Sequence, residues 1–354
     1  MTPSPSNRAI IAAAGSGKTR YVIAQALAAP PGRRVLITTY TRENRAQIVR
    51  RFEEAHGCLP SNVRVAGWFS FLISQAARPY QSSITGETHL GGAVNLQSRH
   101  PQGIPRTKWH LYYFDGNGSF RPTGLPEFAC QANRNTNGAV IRRLEAVLDE
   151  VYIDEFQDLA GYDLDFLDLL FASRIQVTVV GDPRQHTYST NQSPRNKQYR
   201  GRDVMDWLAR RTGACTLEVR NESTRCNQEI CDWADGLYPD LPQTTSRNQA
   251  STGHDGVVCI SARDVPAYVE KYSPVVLRDS KRSDTLGLPA MNIGVSKGST
   301  FDRVLIFPTR PMLKYIKTKD LSALPAPERL YVAVTRARHS VAFVVSPKDA
   351  DYVP

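Results

Sequence analysis

Short apolar runs alternate with stretches of helical periodicity over the first eighty residues. Ile10 and Ile11 read as a buried strand, followed by a glycine-bearing turn. An alanine-rich helix then runs over about residues 18–28 and stops before Pro30-Pro31-Gly32. Residues 35–39 predict the next strand. Residues 41–55 predict a helix with Ala46, Ile48, Val49 and Phe52 turned inward and Arg42, Arg45, Arg50 and Arg51 mostly outward. Those arginines suit a solvated face and phosphate contact equally. A short strand at 63–66 and an apolar helix at 68–77 complete the run. Strand–helix alternation predicts a parallel sheet with right-handed crossovers.

The rhythm breaks between residues 78 and 138, which are rich in Gly, Asn, Ser and Pro. The stretch is too long for an ordinary loop and reads as an insertion. Its aromatics, Trp109, Tyr112, Tyr113, Phe114, Phe120 and Phe128, suit a small core better than a base-stacking platform. Helical periodicity resumes at 139–148, and strands are expected at 151–154 and 176–180. Residues 214–219 read as the first strand of a second α/β unit. A helix at 226–233, strands at 257–260, 275–277, 304–307 and 341–345, and a helix from 326 follow, with residues 291–295 leading into 296–302. No internal repeat is visible. The expected division is a first domain of 1–77 with 139–213, a small insertion of 78–138, and a second domain of 214–354.

The turn at residues 12–19, AAAGSGKT, has the composition of a phosphate-binding loop. Gly15 and Gly17 let backbone N–H groups converge on phosphate oxygens, and the helix start adds a positive dipole end. Lys18 would reach the β- and γ-phosphates and the Thr19 hydroxyl would hold Mg²⁺. The strand at 151–154 ends in Asp154-Glu155-Phe156-Gln157-Asp158. A carboxylate there can hold Mg²⁺ and a second can activate water. A plain surface turn is the alternative, and the apolar strand before it argues against that. The loop 186–201 carries Arg195, Lys197, Arg200, Tyr188 and Tyr199 and no acid. That mixture suits a single nucleic-acid strand, or else a solvated loop.

Composition adds limits. With 354 residues, 41% hydrophobic and 22% charged, the chain suits at least two soluble domains. No apolar run approaches the roughly 20 residues that cross a bilayer. The proline- and serine-rich start lacks a signal-peptide layout and suggests a disordered tail. The six cysteines form no CxxC pair, which disfavours zinc and, with no export signal, implies free thiols in a cytoplasmic protein. A net charge of +10 points to a polyanionic partner, though many basic proteins bind none.

These motifs together resemble superfamily 1 helicases of the UvrD/Rep type. AAAGSGKT is similar to that family's phosphate loop. TTYTRENRAQIVRRF resembles its motif Ia, VYIDEFQDL motif II and VVGDPRQHTY motif III. NESTRCNQEI resembles motif IV, VSKGSTFDRVLI motif V and ERLYVAVTRAR motif VI. They fall in the family's order across nearly the whole chain.

The resemblance implies an α/β protein of two RecA-like domains with parallel sheets flanked by helices and ATP between them. It implies ATP contacts from Ala12, Ala13, Ala14, Gly15, Ser16, Gly17, Lys18, Thr19, Arg20 and Gly298. Thr19 and Asp154 would hold Mg²⁺, Glu155 would be the general base, and Gln185 would sense the γ-phosphate. Arg225 and Arg336 would act as arginine fingers from the second domain. DNA contacts are expected from Thr39, Tyr40, Arg42, Trp68, Tyr188 and Lys197. The implied activity is ATP-driven 3′–5′ movement on single-stranded DNA and at DNA junctions, with no membrane partner. The family's adenine-reading glutamine has no counterpart before Arg8. Its adenine-stacking tyrosine is Thr224, and its motif V glutamate is Thr300. ATP and GTP are therefore expected to be poorly distinguished. The motif III tryptophan is missing, which makes Tyr188 the base-stacking candidate. Too little chain lies between Asp235 and Met291 for the family's large second-domain insertion. A nuclease or other DNA-processing partner is expected to supply what is missing. A regulatory subunit with a weak motor and an unrelated nucleotide kinase are the rival readings.

Overall fold

The structure, a computed structural model, describes residues 7–86, 93–99 and 101–352. The tail expected at the start falls mostly on residues 1–6, outside the described residues, while Asn7 and Arg8 already belong to the first strand. The chain forms two compact units, residues 1–11 with 18–219 and residues 12–17 with 220–354.

In the first unit, β1 (Asn7–Ala12) leads to α1 (Lys18–Ala28), β2 (Val35–Thr39), α2 (Arg42–His56) and β3 (Val63–Gly67). Thr41 caps α2 by accepting from the Asn44 N–H at 3.0 Å, and Gly57 at φ 83° ends it. Ile48 and Phe52 are buried as expected; Ala46 instead faces solvent. The expected helix at 68–77 is α3 (Trp68–Phe71) continued as a π turn, Leu72–Ala77. The wider turn buries Leu72, Ile73, Ala76 and Ala77 together. The insertion contains α4 (Ser82–Thr85), α5 (Trp109–Tyr112), α6 (Gly124–Asn135) and, after it, α7 (Ala139–Val147). Then come β4 (Glu150–Asp154), α8 (Tyr162–Phe171), β5 (Gln176–Gly181), α9 (Val204–Ala209) and β6 (Cys215–Arg220).

The strand order is β3-β2-β4-β5-β1-β6. The ladders of β2 with β3 and β4, and of β5 with β4 and β1, are all parallel. This order brings the C-terminal ends of β1, β4 and β5 side by side. The strand expected to open the second unit is β6, the edge strand beside β1. Periodicity marks a strand but not the sheet that receives it. The Asn7 amide helps fix this arrangement by donating to the Phe171 and Ala214 carbonyls at 3.0 and 2.9 Å.

The insertion's aromatics form a core. Tyr113, Phe114, Phe120 and Phe128 are buried, with ring centroids 4.4 Å apart for Phe114–Phe120 and 5.2 Å for Phe120–Phe128. Burying one such ring contributes about 1.5–3 kcal/mol, as much as one stacked base would return. Exposing them to a strand would therefore gain nothing.

The second unit contains β7 (Glu222–Ser223), α10 (Gln228–Asp235), β8 (Thr245–Ser246), β9 (Gly256–Ser261), α11 (Val265–Tyr272) and β10 (Val275–Arg278). It continues with β11 (Met291–Asn292), β12 (Phe301–Phe307), α12 (Arg310–Thr318), α13 (Pro327–Val334) and β13 (Ala337–Val345). Its five-stranded sheet has the order β11-β10-β12-β13-β9, with parallel ladders throughout. Trp233 of α10 packs on Phe343 of β13 at 5.0 Å, and buried Leu330, Val332 and Val334 of α13 join that core.

Candidate nucleotide site and nucleic-acid surface

In the first unit, the reactive side chains lie where β4 and β5 end and α1 begins. The Thr19 hydroxyl donates to Asp154 Oδ2 at 3.2 Å. Both are hard oxygen donors of the kind Mg²⁺ takes together with phosphate oxygens. Among the described residues no cluster of three or more His, Cys, Asp or Glu side chains is arranged to hold a metal by itself. Burial, and then the neighbouring Glu155 carboxylate, push the Asp154 carboxyl up, while Lys18 opposes them. Burial also pulls the Lys18 ammonium down, against the attraction of Asp182, Glu155 and Asp154.

Glu155 sits in the left-handed region at φ 60° and ψ 40°. Such a conformation costs a non-glycine residue about 1 kcal/mol or more and persists only where the surroundings enforce it. Gln157 supplies part of that enforcement. Its Nε2 donates to Glu155 Oε2 at 2.5 Å, and its Oε1 accepts the Asp182 N–H at 3.0 Å. Gly181 is required here, because a Cβ would lie 2.4 Å from Gln157 Oε1. Burial alone would raise Asp182. Arg184, Lys18 and Gln185 overcome that and hold its carboxylate below the usual range. Arg184 Nε donates to Asp182 Oδ1 at 2.9 Å and Gln185 Nε2 to Oδ2 at 2.8 Å. Lys18, Thr19, Asp154, Glu155 and Gln185 thus share one end of one sheet. Arg20, on the next position of α1, is exposed.

The loop 12–17 packs within the second unit. Gly15 and Gly17 have φ 76° and 81°. The Thr224 N–H and hydroxyl both donate to the Gly15 carbonyl, at 2.9 and 3.0 Å. A Cβ on Gly15 would meet Ser223 Oγ at 2.4 Å. Ala12, Ala13 and Ala14 are buried, and the Ala14 N–H donates to the Tyr331 hydroxyl at 3.4 Å. Ser16 Oγ is buried with no hydrogen-bond partner among the described residues. α1 has no acid in its first turn. Left-handed glycines, an unsatisfied hydroxyl and an acid-free helix start fit a phosphate group. Arg225 Nη1 donates to the Thr335 carbonyl at 2.9 Å. Arg336 is buried, with Nε on the Val332 carbonyl at 3.0 Å and Nη1 near the Ser299 carbonyl at 3.4 Å. Gly298, at φ 87°, lies in the loop before β12.

The expected strand-contact residues divide. Tyr188 is 48% exposed, and its ring lies 5.1 Å from that of Tyr40, with the hydroxyls 3.3 Å apart. Tyr40 packs edge-on against Phe69 at 5.4 Å. Arg42 and Lys197 are exposed. Trp68 and Thr39 are buried instead. Trp68 is 2% exposed, is locked among Phe71 and Phe166, and donates its indole N–H to Asp163 at 2.6 Å. Thr39 is 1% exposed. Neither side chain offers a face to a base. The acid-free loop also looks different in place: Arg195 pairs with Asp165 of α8 at 2.6 Å and Arg200 donates to the Ser193 carbonyl at 2.5 Å. Its cations are largely spent on holding the loop down.

Sequence reasoning gave no individual role to Gln157, Asp182 or Asp163. Gln157 and Asp182 lie inside quoted motifs, two residues after Glu155 and three before Gln185. Asp163 and its partners carry no local signal, because their contacts join distant segments.

Residues 125–195 match the family described as UvrD/REP helicase N-terminal domain. That span includes Asp154, Glu155, Gln157 and Gln185. No curated protein matches the chain. Arterivirus nonstructural protein 10, a helicase, is similar at 17% identity over 96% of this chain and 59% of its own, with a TM-score of 0.49. The complex of that protein with DNA is similar at 16% identity over 96% and 60%, with a TM-score of 0.50. The latter likeness is one of fold, and the chain spans about 60% of the length of that structure. No helix among the described residues is long and apolar enough to cross a membrane. The chain has the fold of two parallel α/β sheets, and its residues 125–195, from α6 through β5 into the loop beyond it, are similar to the UvrD/REP helicase N-terminal domain.

Proposed function

We propose that this protein is an ATP-dependent translocase or helicase acting 3′–5′ on single-stranded DNA. The observation that carries the reading is the grouping of Lys18, Thr19, Asp154, Glu155 and Gln185 at one end of the first sheet. Lys18 would hold the β- and γ-phosphates, with Ala12–Gly17 supplying backbone donors. Thr19 and Asp154 would hold Mg²⁺, which neutralises phosphate charge when bound. Glu155 would take the proton of the attacking water, and Gln185 would orient that water. Arg225 and Arg336 are assigned as cations that stabilise charge on the transferred phosphoryl group, and Gly298 as a close backbone approach to the nucleotide. Phosphoryl transfer depends on positioning and charge, and one arginine of this kind contributes a factor of about 10³–10⁵.

Tyr188 and Tyr40 would stack on bases, with Arg42 and Lys197 on phosphates. The DNA complex of the arterivirus protein supports a nucleic-acid partner for this fold. Residues 236–290 supply β8, β9, α11 and β10, leaving no length for a large inserted domain. We read 78–138 as the small insertion and the protein as a motor that relies on a nuclease or other DNA-processing partner. A regulatory subunit with a weak motor is the second reading, favoured only if hydrolysis is slow. The deciding experiment is hydrolysis of ATP and of GTP with and without single-stranded DNA. Turnover stimulated by the strand supports the reading, and nucleotide hydrolysis indifferent to any strand refutes it.

A further inference from the structure

Gln157 stands between two sets of residues with different assigned tasks. Its side chain bridges Glu155 Oε2 and the Asp182 N–H, at 2.5 and 3.0 Å. Its main-chain carbonyl lies 2.8 Å from Nδ1 of His186. A carbonyl only accepts, so Nδ1 carries the hydrogen and donates. The Asp158 carboxylate lies 3.6 Å from the same nitrogen. His186 is two residues before Tyr188, and its ring is further fixed by Gly201: a Cβ there would lie 3.0 Å from His186 Cδ2. Both ends of the loop 186–201 therefore converge on one imidazole, and that imidazole is bonded to Gln157.

We propose that Gln157 is a positioning residue that couples the nucleic-acid loop to the hydrolytic base: its amide holds Glu155, and its carbonyl is held by His186 at the root of the Tyr188 loop. The inference rests on the functional reading above. The Glu155 carboxylate must point at a water, yet its backbone is in a left-handed conformation that nothing in its own side chain favours. A strand stacked on Tyr188 pulls on the loop that starts at His186. Displacement of the imidazole moves the Gln157 main chain, and the amide moves with it. The ordering of the base thereby becomes sensitive to the strand without any contact between strand and nucleotide. The path is a short chain of hydrogen bonds within one unit, with each link at hydrogen-bond distance.

The test compares hydrolysis rates of the full chain with and without a single-stranded oligonucleotide. His186→Phe keeps the ring and removes the donor. It should leave the KM for ATP within about twofold of wild type and lower the ratio of strand-stimulated to basal kcat about tenfold, the factor for one ordinary hydrogen bond. His186→Asn keeps a donor near the Nδ1 position and should recover most of the stimulation. Gln157→Leu should lower kcat about tenfold or more both with and without strand, at an ATP KM within about twofold of wild type. If Gln157→Leu does not fold, the His186 pair still decides the matter. Full stimulation in His186→Phe, or equal loss in His186→Phe and His186→Asn, overturns the coupling while leaving the functional reading intact. Absence of stimulation in wild type overturns both.

Discussion

Asp163 gives a pH-dependent prediction whose sign and size follow from its surroundings. It is fully buried in the first turn of α8. Its carboxylate accepts from the Trp68 indole N–H and from the Thr190 hydroxyl, both at 2.6 Å. The Thr190 hydroxyl in turn accepts the Ala160 N–H at 3.1 Å. Burial pushes the carboxyl from 3.8 up to about 7, against the lowering effect of these hydrogen bonds. An acid whose folded pKa is raised binds its proton more tightly when folded. Below pH 3.8 both states are protonated and the residue costs nothing. As pH rises toward 7 the unfolded chain releases the proton and the folded one keeps it, so stability falls. At 1.36 kcal/mol per pH unit, the interval from 3.8 to about 7 corresponds to about 4 kcal/mol as an upper bound. Above about pH 7 the loss levels off.

Asp163→Asn isolates this effect. The amide oxygen can accept from Trp68, and its NH₂ can donate to the Thr190 hydroxyl, so the network survives without a charge. Urea unfolding of both proteins, followed by tryptophan fluorescence at pH 4.5 to 8, gives the difference. Wild type should lose stability relative to Asp163→Asn as pH rises, by about 2–4 kcal/mol over the range. Parallel curves would refute the assignment of a buried, proton-holding Asp163. A variant that gains relative stability on acidification would refute the sign.

Glu155→Gln should keep nucleotide binding and lose turnover, whereas Lys18→Ala should weaken nucleotide binding itself; equilibrium binding of a fluorescent ATP analogue beside steady-state hydrolysis separates the two. Single-strand affinity should fall steeply with salt as phosphate contacts release counterions, and Tyr188→Ala should cost about 1–3 kcal/mol; fluorescence anisotropy that shows neither would move the surface elsewhere. Gly181→Ala places a Cβ 2.7 Å from Phe156 Cδ1 as well as against Gln157, so it should destabilise the protein by about 1–3 kcal/mol and lower kcat; a fully active variant of wild-type melting temperature would contradict the packing described. Unwinding of long 3′-tailed duplexes by the purified chain alone should be poor, and efficient unwinding of hundreds of base pairs would remove the need for a partner.

Strands and glycine turns were the most legible features. α1 and β2 fall where apolar periodicity and Pro30-Pro31 place them, because both are local signals. Sheet membership was not legible for β6, since an exposed edge strand reads alike beside either sheet. The insertion's core was inferred from its aromatics, whereas α6 within it was not anticipated; Gly124 and Pro126 open that helix, and both look like loop residues. Within the site, Asp154 and Glu155 were visible as carboxylates ending an apolar strand. Trp68 packs against Phe71 and Phe166, and nothing local in the sequence separates such a core aromatic from an exposed one. Its Asp163 partner lies 95 positions away in sequence.

The central claim is that this chain couples nucleotide hydrolysis to a single strand through Glu155. Its most direct test is the ATP hydrolysis rate of wild type and Glu155→Gln, each with and without single-stranded DNA and at matched nucleotide occupancy. The account predicts strand-stimulated turnover in wild type and none above background in Glu155→Gln. Equal hydrolysis by the two proteins, with or without the strand, would contradict it.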